Sequence, residues 1–175
     1  MKRILCIVLS LVPLLAFAQG RGIALLDKAA GKRVSFDYVY SLDQGEGMKE
    51  VTNGSVVAQG NCFVVSGLGL KNYSDGKALW MMDESAGEVV IDSVANDDVF
   101  SNPALLISSY RNYLDIIKVN REGSDSLDLT ITLDEDTRVR FKLTSVRFAD
   151  PSSDASDFVL DVSALPSSYV VTDLR

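Results

Sequence analysis

Strict alternation of apolar and polar residues is the feature that most restricts how this chain can fold. Between Leu127 and Leu133 every second residue is apolar, and the residues between them are Asp, Thr and Thr. Val34–Tyr40 and Arg138–Leu143 repeat the alternation, the latter with basic residues at the polar positions. Successive side chains of a strand point to opposite faces of a sheet. The pattern therefore predicts antiparallel strands with one apolar face and one wetted face.

Further strands are predicted between clusters of turn residues. The Asp75-Gly76 pair indicates a two-residue hairpin of type I′, because Asp and Gly tolerate the positive φ that this turn needs. The additional predicted strands are Gly54–Gln59, Asn61–Ser66, Leu68–Ser74, Ala78–Asp83, Glu88–Val94, Tyr113–Val119 and Phe158–Val162.

Two segments have helical features instead. Residues 22–32 carry apolar residues at roughly helical spacing, which predicts a short amphipathic helix. Asn102 followed by Pro103 indicates a second helix, with Asn102 as N-cap and Pro103 at the first helical position. We therefore expect a mainly β (α+β) fold. Its main element would be one curved antiparallel sheet of about nine to eleven strands, with short helices over the concave side.

The N-terminus has the three parts of a secretory signal peptide. Met1-Lys2-Arg3 is positively charged, Ile4–Leu15 is apolar, and Ala16-Phe17-Ala18 matches the small-x-small cleavage rule. The apolar run is short for a membrane span, which needs roughly 20 residues. The sequence predicts a signal peptide over residues 1–18 and one exported domain over residues 19–175.

Composition argues against several classes of function. The chain has no histidine, and Cys62 is the only cysteine outside the predicted signal peptide, so we expect no zinc or copper site and no internal disulfide. A net charge of −7 is poorly suited to nucleic acid or to anionic membrane surfaces. We predict no metal, no cofactor and no nucleic-acid partner.

One motif formally matches an enzyme nucleophile. Ser74 and Lys77 have the S-x-x-K spacing of penicillin-binding enzymes, but that motif needs the serine at a helix start and partner motifs elsewhere. Here the spacing falls on a predicted hairpin turn, and neither S-D-N nor K-T-G occurs. We therefore predict that the protein is not an enzyme.

The distinctive chemistry of the chain is apolar. An ordinary hydrophobic core and a ligand-binding surface both account for the pattern. The alternation places these residues on the inward face: Phe36, Tyr38, Tyr40, Phe63, Val65, Leu129, Ile131, Phe141 and Leu143.

An ordered set of segments resembles one protein family. Ser74–Trp80, spelled SDGKALW, is followed by Asn102–Ile107, by Phe158–Val162 and by Pro166–Asp173. Together these segments resemble the periplasmic outer-membrane lipoprotein carriers, the LolA family, and in particular its Bacteroidetes-type branch. The resemblance extends over nearly the whole of residues 19–175.

The resemblance implies an incomplete antiparallel β-barrel, closed by a helical lid over a hydrophobic cavity. It implies a monomeric periplasmic chaperone that binds the acyl chains of lipoproteins and moves them toward the outer membrane. Lipidated proteins would be its cargo, and an inner-membrane release machinery and an outer-membrane acceptor its partners. It adds Trp80, Met82 and Leu105 to the expected cavity residues.

One departure from the family pattern concerns the lid. The arginine that latches the lid in the family aligns with Gln59-Gly60-Asn61, where no arginine is present. Arg21, Arg33 and Arg111 are the alternative candidates for a latch between a lid helix and the sheet. Two other functions stay open: a periplasmic binding protein or sensor for free lipids with the same fold, and an exported structural module whose apolar face is filled core.

Overall fold

A single ten-stranded sheet is the main element of the computed structural model, which describes residues 23–94 and 102–175. Across the sheet the strands follow the order β10-β6-β5-β4-β3-β2-β1-β9-β8-β7. The mainly β class and the expected strand number are confirmed. The strands are β1 (Arg33–Gln44), β2 (Lys49–Gln59), β3 (Cys62–Gly67), β4 (Leu70–Ser74), β5 (Ala78–Asp83), β6 (Glu88–Ser93), β7 (Ile117–Glu122), β8 (Leu127–Thr132), β9 (Thr137–Ala149) and β10 (Val170–Asp173).

Two antiparallel meanders make up nine of these strands. Strands β1 to β6 pair in chain order, strands β7 to β9 do the same, and the long antiparallel pairing of β1 with β9 joins the two. The prediction of a purely antiparallel sheet is wrong for β10, which pairs in parallel with β6. The reason lies in residues 150–169, because this segment crosses one face of the sheet before the chain reaches the β6 edge.

Both predicted helices are present. Helix α2 (Pro103–Ser109) begins as expected, because the Asn102 side chain accepts a hydrogen bond from the Ala104 N–H at 2.9 Å. Helix α1 (Ala24–Ala29) is shorter than the predicted residues 22–32. Ala30 already has a ψ of 121°, and Gly31 has a φ of +70°, so the helix ends there.

The strand register places the nine inward residues of the alternation on one face, as predicted. Phe36 lies opposite Val56, which lies opposite Val65, and Tyr40 lies opposite Phe141. Apolar residues of α1 and α2 pack against this face. We call it the helix face.

The opposite face carries a second apolar cluster. Ala78, Trp80 and Met82 of β5 pack there with two residues of β6. Apolar residues of the tail, residues 150–169, cover this cluster: Leu160, Val162, Leu165 and Tyr169. We call this surface the tail face. Strands β5 and β6 are therefore flanked by apolar side chains on both sides.

Local hydrogen bonds explain why one predicted strand did not form. Phe158 belongs to a 3-10 turn (Ser156–Phe158), and a second 3-10 turn (Val162–Ala164) follows it. The Asp161 carboxylate accepts hydrogen bonds from the N–H and the hydroxyl of Ser163, at 3.0 and 2.6 Å. Such side-chain contacts with the neighbouring backbone favour turns over extended pairing.

The predicted hairpin at Asp75-Gly76 is confirmed, but its turn type is wrong. The last residue pair of β4 and β5 is Ser74 with Leu79, so the loop is longer than two residues. Gly76 has a φ of +87°, whereas Asp75 is not in the positive region that type I′ also requires at that position. The Asp75 carboxylate accepts hydrogen bonds from the Lys77 and Ala78 N–H groups, both at 2.8 Å, and this bonding fixes the loop.

The strand predicted at Tyr113–Val119 begins later than expected. Strand β7 starts at Ile117, because α2 continues into a 3-10 turn (Tyr110–Tyr113).

Candidate functional site

The helix face is divided into a packed half and an open half. In the packed half, on β1, β8 and β9, the two helices cover the apolar side chains, and Leu129, Ile131 and Phe141 are all 0% exposed. In the open half, on β3 to β6, apolar side chains line a groove beside α2. Phe63 and Val65, at the border of this half, are buried in the same core cluster as the helix residues.

This groove, the β3–β6 groove, has a cavity volume of about 430 Å³. Residues of β3 to β6, Leu105 of α2 and Leu68 of the β3–β4 turn line it. Its apolar lining consists of Phe63, Val65, Leu68, Leu70, Leu79, Met81, Val94 and Leu105.

Polar residues line the β3–β6 groove as well: Tyr38, Thr52, Asn72, Asp92, Ser93 and Asn102. Asp92 is the only charged side chain among the described residues that line it. Asn72 lies in the floor between Val65 and Met81. Its side-chain oxygen is buried and accepts no hydrogen bond from the residues that the structure describes.

Tyr38 also lines the groove. It pairs with Gly54 of β2, which pairs with Gly67 of β3, and its hydroxyl donates a hydrogen bond to the Ser66 carbonyl at 3.2 Å. A Cβ atom on Gly67 would lie 2.6 Å from the Tyr38 hydroxyl oxygen, so a larger residue would push the ring aside. Burial raises the pKa of Tyr38, so its hydroxyl stays protonated.

The twelve residues predicted to line a single cavity fall into three groups. Four line the β3–β6 groove: Tyr38, Phe63, Val65 and Leu105. Six lie on the same face but belong to the packed half: Phe36, Tyr40, Leu129, Ile131, Phe141 and Leu143. The prediction is wrong for Trp80 and Met82, which lie on the tail face under residues 150–169.

The prediction assigned the two faces of β5 the wrong way round, by one residue. Asn72 of the groove floor lies opposite Met81, and Tyr73 of the tail face lies opposite Trp80. Leu79 and Met81 therefore point into the groove, and Trp80 and Met82 point away from it. The uninterrupted apolar run Ala78–Met82 was the available signal, because a strand that is apolar at every position is buried on both faces.

A smaller groove, of about 300 Å³, lies between α1 and α2 over the ends of β1 and β2. Asp27 of α1 bridges it, because its carboxylate accepts hydrogen bonds from the Tyr110 hydroxyl and from the Arg111 guanidinium. We call these three residues the helix clasp. Burial and then the hydrogen bond to Asp27 raise the pKa of Tyr110 to about 12.

The candidate arginine latches have different positions. Arg111 joins one helical segment to the other, and not a helix to the sheet as predicted. Arg33 pairs with Asp157 of the tail at 2.9 Å, and its guanidinium carbon lies 5.0 Å from the centre of the Phe158 ring. Arg21 lies outside the described residues.

Gln59, at the position of the family arginine, also contacts the tail. Its amide donates to the Ser152 carbonyl at 2.8 Å and accepts from the Ser152 N–H at 2.9 Å. The contact from α1 to the sheet is made instead by Glu122 of β7, whose carboxylate accepts a hydrogen bond from the Leu25 N–H at 2.7 Å.

The residues of the S-x-x-K match serve the hairpin turn. Ser74 is fully buried, and its hydroxyl oxygen accepts a hydrogen bond from the Gly76 N–H at 3.0 Å. Lys77 is exposed. Burial, and then the nearby Asp75 carboxylate, raise the pKa of the Cys62 thiol, which lowers its reactivity.

Residues 23–94 and 102–175 contain neither a metal-binding cluster nor a membrane-spanning helix. No group of three or more His, Cys, Asp or Glu side chains in these ranges is arranged to hold a metal ion. No helix there is long and apolar enough to cross a membrane.

Comparisons with known proteins add little to this description. No family model and no curated protein matches the chain. Among solved structures, the chain is similar to the crystal structure of an uncharacterized conserved protein from Thermus thermophilus. The identity is 10% and the TM-score 0.45, over 86% of this chain and 95% of the other. The LolA-like assignment receives no support from these comparisons and stays a prediction.

Proposed function

We propose that this protein is a carrier that binds the acyl chains of lipidated proteins in the β3–β6 groove. The observation that supports this proposal is the groove itself, an apolar surface beside α2 that residues 23–94 and 102–175 leave uncovered, on a sheet whose two apolar clusters are packed. Each methylene group removed from water contributes about 0.8 kcal/mol, so such a surface binds alkyl chains without any catalytic group.

The shape and softness of the lining suit an alkyl chain. The volume of about 430 Å³ falls within the range of roughly 300–1,000 Å³ that is typical of small-ligand sites. Met81 lies in the floor, and methionine adapts to irregular and mobile apolar partners.

The charge of the groove lining indicates how the bound acyl chain is linked to the rest of the ligand. No Lys or Arg side chain is among the described residues of the groove, and Asp92 contributes a negative charge. A free fatty acid or a phospholipid would bring its own negative charge close to Asp92 without a cation to balance it. An acyl chain joined by an ester or an amide carries no such charge, which favours acylated proteins over free acidic lipids.

The size of the groove favours a second candidate function. The volume suits one acyl chain. The three acyl chains of a triacylated protein would need a wider cleft. A protein that binds or senses one neutral free lipid would need no widening. For the carrier function we therefore propose that α1 and α2 form a movable lid on an incomplete barrel. Opening of the helix clasp would then join the two grooves.

The proposed setting is the periplasm, where a lipidated protein cannot cross water with its chains exposed. The signal peptide read from residues 1–18 supports this setting, although these residues lie outside the described part of the chain. The carrier would act as a monomer between an inner-membrane donor and an outer-membrane acceptor.

Displacement of a bound apolar dye tests the function. We expect an environment-sensitive dye to bind in the β3–β6 groove and to be displaced by a triacylated lipopeptide, but not by the same peptide without acyl chains. Absence of dye binding, or equal displacement by both peptides, would contradict the proposal. Mass spectrometry of material that co-purifies from the periplasm then separates the two candidates, since the carrier should retain acylated protein and the sensor a free lipid.

A further inference from the structure

Strand β7 lies at one edge of the sheet and is open to solvent. It is the last strand in the sheet order, and five of its six residues are exposed. In the part of the chain that the structure describes, no strand pairs with its outer side. An edge strand presents unpaired backbone N–H and C=O groups, to which an extended segment of another chain can bond.

The hydrogen-bond pattern identifies the residues that present these groups. The Thr132 N–H donates to the Ile116 carbonyl at 3.1 Å, and in an antiparallel pair such residues alternate with residues that do not bond to the neighbouring strand. Lys118, two residues after Ile116, therefore bonds to β8. The backbone groups of Ile117 and Val119 point to the free side.

Basic side chains surround this edge on the face of the sheet that points away from the helices. Leu129 and Ile131 of β8 lie on the helix face, so Asp128, Thr130 and Thr132 lie on the other face, together with the residues paired with them. We call the basic members of this group the basic patch, which consists of Lys118, Arg121, Arg138, Arg140 and Lys142.

The basic patch has an excess of positive charge on an acidic protein. Asp128 is the only acidic residue that β7, β8 and β9 place on this face, and it accepts hydrogen bonds from Arg140 Nε and Nη2 at 2.8 and 2.5 Å. The other four cations are exposed and form no ion pair with a carboxylate of the described residues. The net charge of the whole chain is −7, so this patch is a local exception that matches an acidic ligand.

Apolar side chains flank the same edge on the helix face. Ile117 and Val119 are paired with buried residues of β8, and Val119 is 39% exposed. Side chains of a strand alternate between the two faces, so an added strand would place one set beside Lys118 and Arg121 and the other set beside Ile117 and Val119.

The opposite edge of the sheet lacks these cations. Strand β10 is also exposed along its length, but it contains no Lys or Arg, and the neighbouring β6 contributes Glu88 and Asp92. The two edges therefore differ in charge, and an acidic segment should pair with β7 and not with β10.

We propose that β7 binds an extended segment of a partner protein, with alternating acidic and apolar residues, as an additional strand of the sheet. Backbone hydrogen bonds to Ile117 and Val119 hold the segment, and its carboxylates lie beside Lys118 and Arg121. A polypeptide fits this edge better than an anionic lipid surface, because only a polypeptide strand uses the backbone groups and the apolar side chains as well as the charge. This interaction does not depend on the binding of acyl chains.

A fluorescein-labelled peptide of alternating glutamate and valine residues tests the proposal. We expect its fluorescence anisotropy to rise with the parent protein, whereas a peptide with lysine in place of every glutamate should not bind. Hydrogen exchange followed by NMR should show added protection of the Ile117 and Val119 amide protons and none for Val171 of β10. Absence of binding, or protection elsewhere only, would overturn the proposal and leave Lys118 and Arg121 as charges that merely guard the edge against pairing.

A proline substitution on each edge tests the backbone contribution. Val119→Pro removes an N–H group on the free side, a position at which an edge strand tolerates proline, and should weaken peptide binding about tenfold. Val171→Pro is the matched control on β10. The Val170 N–H donates to the Gly87 carbonyl at 2.9 Å, so the N–H of Val171 points away from β6, and this variant should bind as the parent does. Equal binding by the two variants would contradict strand addition at β7.

A charge reversal tests the electrostatic contribution without a change in the backbone. Lys118→Glu should weaken peptide binding about tenfold, because a like charge then lies opposite each approaching carboxylate. Lys77→Glu changes the net charge equally at an exposed position of the β4–β5 turn and should bind as the parent does. Parental binding by Lys118→Glu would count against the proposal even if Val119→Pro failed to fold. Phosphatidylglycerol vesicles that bind the parent and Val119→Pro alike, when the peptide does not bind, would overturn it in favour of an anionic lipid surface.

Discussion

The packed half and the open half of the helix face have similar sequence patterns but different surroundings. Leu129 and Phe141 in the packed half are 0% exposed, whereas Leu70 in the open half is 40% exposed. The difference comes from the helices, because a helix of seven residues is only about 10 Å long. Ten strands at a spacing of about 4.8 Å make a far wider sheet. Alternation therefore defines an apolar face, but the position of the described helices decides which part of that face they cover.

The largest effect is expected from a charge in the packed half. Phe141→Asp places a carboxylate at a position whose side chain is 0% exposed. An unpaired buried charge should lower the unfolding free energy by more than about 4 kcal/mol. Urea unfolding followed by circular dichroism measures this loss. If the variant folds with parental stability and only binds less acyl dye, Phe141 borders a ligand and the two halves are not distinct.

Smaller effects are expected from substitutions of two neighbouring methionines, one on stability and the other on acyl-dye binding. Met82→Asn should lower the unfolding free energy by about 2–5 kcal/mol, because Met82 is buried beneath the tail. Met81→Asn should cost less than about 1 kcal/mol but should weaken acyl-dye binding, because Met81 borders the open groove. Urea unfolding and dye titration of both variants provide the comparison, and each variant is the control for the other. The reverse outcome would mean that the faces of β5 are assigned the wrong way round.

The smallest effect concerns the helix clasp, and it depends on pH. Below pH 10 the Tyr110 hydroxyl is protonated in the folded and the unfolded chain. Between pH 10 and about 12 the unfolded chain releases this proton while the folded chain retains it, so the unfolding free energy should fall as the pH rises. Thermal unfolding at several alkaline pH values should show a steeper decline for the parent than for Tyr110→Phe. Identical slopes would show that Tyr110 does not titrate as the clasp requires.

The sequence predicted those parts of the molecule whose local signals are unambiguous. Strict alternation located β8 and much of β1 and β9, and the Asn102-Pro103 pair located the start of α2. It could not assign the faces of β5, because both faces are apolar and only the tertiary position of residues 150–169 explains why. The open groove was equally out of reach, since it depends on where the short helices end. Leu79 and Met81 were missed as groove residues because both faces of β5 are apolar.

The pairing of β1 with β9 affects the rate at which the protein folds. Strands β1 to β6 and strands β7 to β9 are each connected by short loops, so both meanders can form from contacts that are close in sequence. The β1–β9 pairing joins residues about a hundred positions apart, such as Tyr40 and Phe141. Closing so long a loop costs entropy before any contact compensates for it, and folds dominated by such pairings form on a timescale of milliseconds to seconds. Until then the apolar side chains of β1 and β9 lack their contacts with each other, and during this interval the chain is exposed to aggregation.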